Sequence, residues 1–429
     1  MSTGVQSQRV ESRGGVFFGW FVLGASFVGM VFGPASVLLY SFGVFTGPLE
    51  HDFGWSRAQI SIGASIIVLV SVLTQPLQGM LVDRFGVRRV VLPSIPVFTG
   101  ALALLYFLNG DIRLFYASWV LITFCGMALW NGSYNKLMAA WYDRKLGLAV
   151  GLIGAGQGVG AALVPAICQA LITNYGWRIG YVGLALITLI FSLTFSILFL
   201  YDKPSDKNQF PDGDRERAPA IISDSGAESY SFKESARHGS FWIIIGTFFL
   251  LGTMSTAIVA HQVPMLVDRH VPPEKAAFVA TAFGLSLIVG RIAAGYLLDR
   301  FFAPRVLAAF LLGPVMGLSL FALGVGSGGS PFAWAALIGL GVGAEIDVLG
   351  YLIPRYFGRK AYALLYGVVL SAFQIGGAIG AAALGIIRTN SGSYSAGLWG
   401  IATTTFLAIV LISLLGPYTF RAPAKRPSR

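Results

Sequence analysis

The chain has 429 residues, 55% of them hydrophobic and only 11% charged, where an ordinary soluble domain carries roughly 25% charged residues. Such a composition cannot cover a water-facing globule; 54 glycines without a three-residue period exclude a collagen-like fibre, and two cysteines inside apolar runs, Cys125 and Cys168, exclude a disulfide scaffold. The net charge of +11 leaves nucleic-acid or anionic partners open until each basic residue is placed.

Apolar runs long enough to cross a bilayer, which takes about 20 residues, lie near 17–44, 58–80, 91–108, 114–137, 147–172, 180–201, 241–266, 278–297, 306–325, 332–354, 362–386 and 396–420. They predict twelve spans. The first run is too long for a signal-peptide core and lacks a small-residue cleavage site, so it reads as a retained helix. Behind span 2 stands Gly79-Met-Leu-Val-Asp83-Arg84-Phe85, and behind span 4 stands Tyr142-Asp-Arg144-Lys145-Leu-Gly-Leu-Ala-Val-Gly151. The stretch 202–240 interrupts the pattern with eight acidic residues between Asp202 and Glu234, and it reads as a flexible cytoplasmic linker. After span 8 the first motif returns 216 residues on, as Gly295-Tyr-Leu-Leu-Asp299-Arg300-Phe301. After span 10 the second returns at an offset of 214 to 216, running from Tyr356 through Arg359-Lys360 to Gly367. Two matches in one order indicate parallel-related halves. The expected fold is an all-α polytopic membrane protein of twelve transmembrane helices: an N-terminal six-helix bundle at 1–201, the linker at 202–240, and a C-terminal six-helix bundle with a short tail at 241–429.

If both termini are cytoplasmic, the inner segments hold 23 basic residues and the outer segments six. That bias sets the orientation by the positive-inside rule and makes a nucleic-acid patch unnecessary. Glycine pairs four apart, at 147/151, 154/158, 156/160, 339/343 and 376/380, each share one helix face and predict close helix contact. Gly339-x-Gly341-x-x-Ala344 imitates a dinucleotide fingerprint, but it lies inside an apolar span with no strand before it.

The loop Gly79-x-x-x-Asp83-Arg84-Phe-Gly86-x-Arg88-Arg89 resembles the loop signature of the major facilitator superfamily. Gly19-Trp20, Tyr40 to Phe45, Phe53-Gly54-Trp55-Ser56-Arg57 and the span-5 run from Trp141 to Gly156 resemble bacterial relatives of monocarboxylate carriers and oxalate/formate exchangers. The resemblance covers nearly the whole chain. It implies secondary active transport of a small monocarboxylate, lactate-like, by proton symport. An oxalate/formate-type anion exchanger without proton coupling is the alternative, and a transport-dead sensor of the same fold is a third reading.

Charge inside a span is costly and normally faces a cavity. Arg291 lies in span 8, eight residues before Asp299, and Glu345 and Asp347 lie at similar depth in span 10. A guanidinium can grip a carboxylate through two parallel bonds, and the resemblance implies a carboxylate-binding arginine in the Gly290-Arg291-x-x-x-Gly295 setting. Glu345 and Asp347 are the candidates for proton coupling, since the lysine and aspartate of animal monocarboxylate carriers align with Leu38 and Leu287 here. Tyr40, Asn131, Tyr134, Gln157, His261, Tyr366 and Gln374 are further cavity candidates. Asp83, Arg84, Arg88, Asp299 and Arg300 suit a breakable gate at the inner ends of spans 2 and 8.

Gly-Lys occurs nowhere, so a phosphate-cradling pump loop is excluded. The four histidines, His51, His238, His261 and His270, show no metal-ligand spacing. No enzyme activity, metal or cofactor is expected. The expected partners are a small carboxylate, a proton and the lipid bilayer, with the chain working as a monomer in the inner cell membrane.

Overall fold

A computed structural model gives residues 16–214, 229–323 and 330–420. Among these residues every regular element is helical. Helices α1 (Gly19–Phe53), α2 (Arg57–Phe85) and α3 (Val87–Phe107) cross first. Helix α4 crosses in two pieces, Ile112–Cys125 and Asn131–Trp141. The run Leu146–Phe199 is two helices joined at Gly176, whose φ of 80° turns the chain over; they are α5 (146–175) and α6 (177–199). The second half supplies α7 (Gly239–Val267), α8 (Pro273–Leu298), α9 (Ala303–Ala322), α10 (Ser330–Phe357), α11 (Tyr362–Ser391) and α12 (Ser395–Ser413). The crossings match the apolar runs one for one.

Two spans depart from plain α-helix, and both departures serve the interior. In α1 the residues after Gly33-Pro34 wind as a π turn, Ala35–Tyr40, because proline removes an amide donor from the ladder. In α4 the helix breaks at Gly126 to Trp130, and the backbone there takes replacement bonds: the Ser133 hydroxyl donates to the Ala128 carbonyl at 2.7 Å, and Gln78 Nε2 donates to Ser133 Oγ at 2.9 Å. The second piece restarts at Asn131, carrying Asn131 and Asn135 on one face.

The linker is firmer than its composition suggests. Asp202 accepts the Arg88 amide at 2.8 Å, and Asp212 accepts the amides of Asp143 and Arg144 at 3.1 and 2.8 Å. At the far side, the Tyr230 amide donates to the Phe357 carbonyl at 3.0 Å, ahead of a capping box between Ser231 and Glu234. Read as flexible throughout, the linker is therefore corrected at both ends: Asp202, Asp212 and Glu234 cap helices instead of standing in solvent. Residues 215–228 lie outside the described residues.

Helices α1–α6 and α7–α12 meet along two seams, α2 against α11 and α5 against α8. The seams are built on glycine. Gly79 lies against the backbone of Ala363 and Leu364, and 216 residues on Gly295 lies against Gly147 and Leu148, so that a Cβ at either position would enter backbone. Gly151 and Gly367 repeat the arrangement against Arg291 and Gln75. Within each set, Gly156 and Gly160 admit Phe27 and Val31 of α1, Gly339 and Gly343 admit Phe283 and Leu287 of α8, and Gly376 and Gly380 admit Phe249 and Thr253 of α7. Gly79 and Gly295 lie toward the end of the bundle that carries most of the basic residues, called the basic end below.

Since overpacking a close contact costs about 1–3 kcal/mol, Gly295→Val is expected to lower the thermal midpoint and to speed thiol labelling of a cysteine placed at Leu148. Gly100→Val is the control, because nothing lies within 4 Å of that Cβ position. Equal midpoints and labelling rates in the two variants would show that the Gly295 seam does not hold the basic end together.

Candidate functional site

Three charged side chains are buried where the sets meet. Arg291 lies eight residues before Asp299 on α8, roughly 12 Å from the basic end at the helical rise, and is only 5% exposed. Its Nη1 donates to Asp347 Oδ1 of α10 at 3.3 Å. Glu345, one helical step away, is wholly buried and accepts from the Ser255 hydroxyl of α7. Arg291 Nε, Asp347 Oδ2 and Glu345 Oε2 have no hydrogen-bond partner among the described residues. The Arg291 to Asp347 contact is long for a charge-assisted bond, normally about 2.7–2.9 Å, and leaves most of the guanidinium's donors free for a planar anion. Helix α5 closes over the pair at Gly154, where a Cβ would collide with both Arg291 and Asp347.

Polar side chains of the first set line up nearby. Asn131 Nδ2 donates to Gln157 Oε1 at 3.4 Å, and Gln157 Nε2 donates to Tyr40 Oη at 3.3 Å. This chain joins α4, α5 and α1, and Tyr40, placed by the π turn, is 42% exposed. Asn135 Nδ2 donates to Tyr366 Oη at 3.0 Å, a buried bond from α4 to α11 that crosses between the sets. Tyr134 is turned away, its hydroxyl end packed on Gly29 of α1. His261 lies at the opposite end from the clasps, with Nε2 at 3.1 Å from the Ala381 carbonyl and Nδ1 at 3.4 Å from Tyr394 Oη. Gln374 is half-buried on α11. Sequence reasoning missed Ser255 and Asn135, and read Gly154 only as a glycine of close helix contact. Asn135 stands one turn beyond Asn131 and could have been found by that spacing, whereas a serine in an apolar helix gives no signal.

At the basic end, Asp83 accepts the amides of Ala363 and Leu364 at 3.1 and 2.9 Å, together with Lys136 Nζ at 2.8 Å. Asp299 accepts the amides of Gly147 and Leu148 at 2.6 and 2.9 Å. Each carboxylate thus caps the first turn of a helix in the opposite set. Helix N-termini, not the neighbouring arginines, meet both carboxylates across the seams, because the first amides of a helix lack intrahelical acceptors and carry partial positive charge. Arg84 packs over Phe85, Arg300 packs over Tyr296, and Arg88 donates to the Leu200 and Ile197 carbonyls at 2.7 and 2.9 Å, so all three stay within their own set. A further tie crosses at Arg355 of α10, which pairs with Asp143 at 2.9 Å.

Comparison with known proteins agrees with this architecture. The sequence profile of the Major Facilitator Superfamily matches residues 15–346 and again 243–429. The chain is 27% identical over 418 residues to monocarboxylate transporter 13 of Bos taurus, an alignment covering 96% of this chain and 92% of that protein. Its fold matches the fucose:proton symporter of Escherichia coli with a TM-score of 0.68 at 15% identity, over 93% of this chain and 98% of that one. It matches a bacterial homologue of the iron transporter ferroportin, in an outward-facing state, with a TM-score of 0.71 at 13% identity, over 92% and 98%. Repeated clasps, glycine seams and family profile converge: the chain belongs to the Major Facilitator Superfamily and is a multi-pass membrane transporter of that fold.

Proposed function

We propose that this transporter carries a small monocarboxylate, lactate-like in size, in symport with a proton, and that Arg291 holds the substrate carboxylate. The observation that carries the reading is the buried guanidinium whose single bond to Asp347 is long and whose Nε is unpartnered. The named function of the bovine relative points to the same substrate class. The Tyr40, Gln157 and Asn131 chain and Tyr366 offer the rest of the substrate polar contacts. His261, Tyr134 and Gln374 sit farther out or are turned away and take lesser parts.

The two halves, residues 1–201 and 241–429, move as units about the site by alternating access. The excess of basic residues assigns the clasped end to the cytoplasm. A substrate carboxylate entering at Arg291 competes with Asp347 for the guanidinium. The displaced acid and its neighbour Glu345 then face a second anion, and taking up a proton relieves that repulsion. Binding and protonation favour each other, and the favour is reciprocal. The net charge of the site is unchanged by one anion plus one proton. Anion exchange without a proton is the second reading, favoured by Leu38 and Leu287 at the places where the animal carriers are charged.

In proteoliposomes, a panel of small carboxylates tested with and without a pH gradient identifies substrate and coupling together. Arg291→Lys keeps the charge but loses the planar fork, and uptake is expected to fall at least about tenfold, the equivalent of one lost bond near 1.4 kcal/mol. Full uptake with unchanged affinity would remove Arg291 from the site.

The double variant Glu345→Gln/Asp347→Asn is expected to lose pH-driven accumulation while still exchanging substrate between two loaded compartments. Accumulation equal to the parent would make these acids structural and put exchange ahead.

A further inference from the structure

The two clasps are alike in backbone geometry and unlike in charge. At the α11 end, the Asp83 carboxylate has the Lys136 ammonium at 2.8 Å to balance it. At the α5 end, a second carboxylate shares the helix start. The linker turn Pro211-Asp212-Gly213 tucks Asp212 under the α5 N-terminus, where it accepts the amides of Asp143, Arg144 and Lys145 at 3.1, 2.8 and 3.3 Å. Asp299 comes from the opposite set and takes the next free amides, Gly147 and Leu148. The Asp212 side chain is 4% exposed, with Arg144 Nε 3.8 Å away and Arg144 otherwise engaged by Asp214. Asp212 holds its place at a cost, since its φ is 60° in a region that non-glycine residues seldom adopt. Gly213 beside it lies against Phe17.

We propose that Asp212 is a positioning residue of the transport cycle: by crowding Asp299 at the α5 N-terminus it makes that clasp the weaker of the two, so that the α5–α8 seam parts first and acid at the basic end holds it shut. The groups facing this pair are few. Asp299 faces Asp212 of the linker and Arg355 and Tyr351 of α10; Asp212 faces Arg144, Asp143 and Tyr142 as well. Arg355 is already paired with Asp143, so among the described residues no cation is dedicated to Asp299 as Lys136 is to Asp83.

Burial, partly offset by the two amides and by Arg355, pushes the Asp299 carboxyl up to about 6, with Asp212 adding a smaller part of the rise. When the seam opens, Asp299 returns to water and to the ordinary carboxylate range near 3.9. The closed state therefore binds the extra proton, so closure gains as pH falls through 6 and the gain is lost as pH rises above it. Between pH 7.5 and 5.5 linkage gives a shift of about fourfold in the closed-to-open ratio.

The experiment uses the full chain in nanodiscs, on a background lacking Cys125 and Cys168, with spin labels at Lys145→Cys and Arg305→Cys, both exposed at the basic end. The distance distribution is measured at pH 7.5 and 5.5 without substrate and on a Glu345→Gln/Asp347→Asn background, which takes the proposed coupling acids out of the readout. The parent should shift toward the short distance by about fourfold on acidification. Asp212→Asn keeps an acceptor for the amides and tolerates the left-handed backbone; it should be more closed at pH 7.5 and respond to acid less than the parent does. Asp299→Asn, which removes the titrating group, should not respond at all. A parent that opens on acidification, an Asp212→Asn protein that keeps the parent's distribution and full response, or an Asp299→Asn protein that still responds would each overturn the proposal. A cooperative thermal transition well above the measuring temperature in both variants separates loss of response from loss of fold.

Discussion

A helix that starts against another bundle brings amides with no acceptor of their own, and in the low-dielectric shoulder of a membrane protein those amides must be answered. Here α5 and α11 each start against the opposite half, and each is answered by one carboxylate, Asp299 or Asp83, projecting from the end of α8 or α2. The carboxylate can reach only if the backbones approach closely, and that approach requires the glycine one turn earlier, Gly295 or Gly79. Much of the packing follows from this contact. It sets the crossing of α2 with α11 and of α5 with α8, closes one end of the cavity, and leaves the other end to ties such as Arg178 with Asp52 and Arg388 with Asp268, each within one half.

The interior obeys a second constraint, that buried charge must be compensated. Arg291 and Asp347 compensate each other with a single long bond, and Glu345 leans on a serine hydroxyl. A structural ion pair would be expected to close with two short parallel bonds. The loose geometry leaves unpartnered atoms on all three groups, the condition under which an incoming anion and a proton gain most from entering.

How much of this could be read from the sequence depended on periodicity. The twelve spans, the seam glycines and the repeat were legible because each is a local pattern of apolar or small residues. The repeat motifs were legible as repeats but not as partners: Asp83 and Ala363 are 280 residues apart, and backbone amides leave no trace in side-chain identity. Arginine was the obvious partner for an aspartate beside Arg84 and Arg88, yet an arginine following a helix end is free to reach lipid, aromatic rings or its own helix carbonyls. The linker was misread for a related reason. Its acidic content looks like solvated charge, and only the fold reveals that Asp202 and Asp212 sit where helices begin. In the site, Arg291, Glu345 and Asp347 were found because charge in an apolar span is conspicuous, while Ser255, and the place of Gly154 over the ion pair, became visible only once α7 and α5 were placed beside them.

Site and gate are joined by being built on the same two helices. On α8, Arg291 precedes Gly295 and Asp299 at intervals of four, so ion pair, crossing and clasp lie along one face of one rigid element. On α5 the order is mirrored: Leu148 and Gly147 take the clasp, Gly151 takes the crossing, and Gly154 lies over Arg291 and Asp347. A shift of α5 against α8 that frees Asp299 must therefore also move Gly154 across the ion pair. If Arg291 holds the substrate as proposed, an anion seated beneath Gly154 would act on the seam directly, through packed backbone and without an intervening relay. Coupling of this kind is carried by one two-state contact that both events bias. It also accounts for the strict glycine register along α5, because any side chain added at 147, 151 or 154 would wedge the seam at a different stage of the same movement.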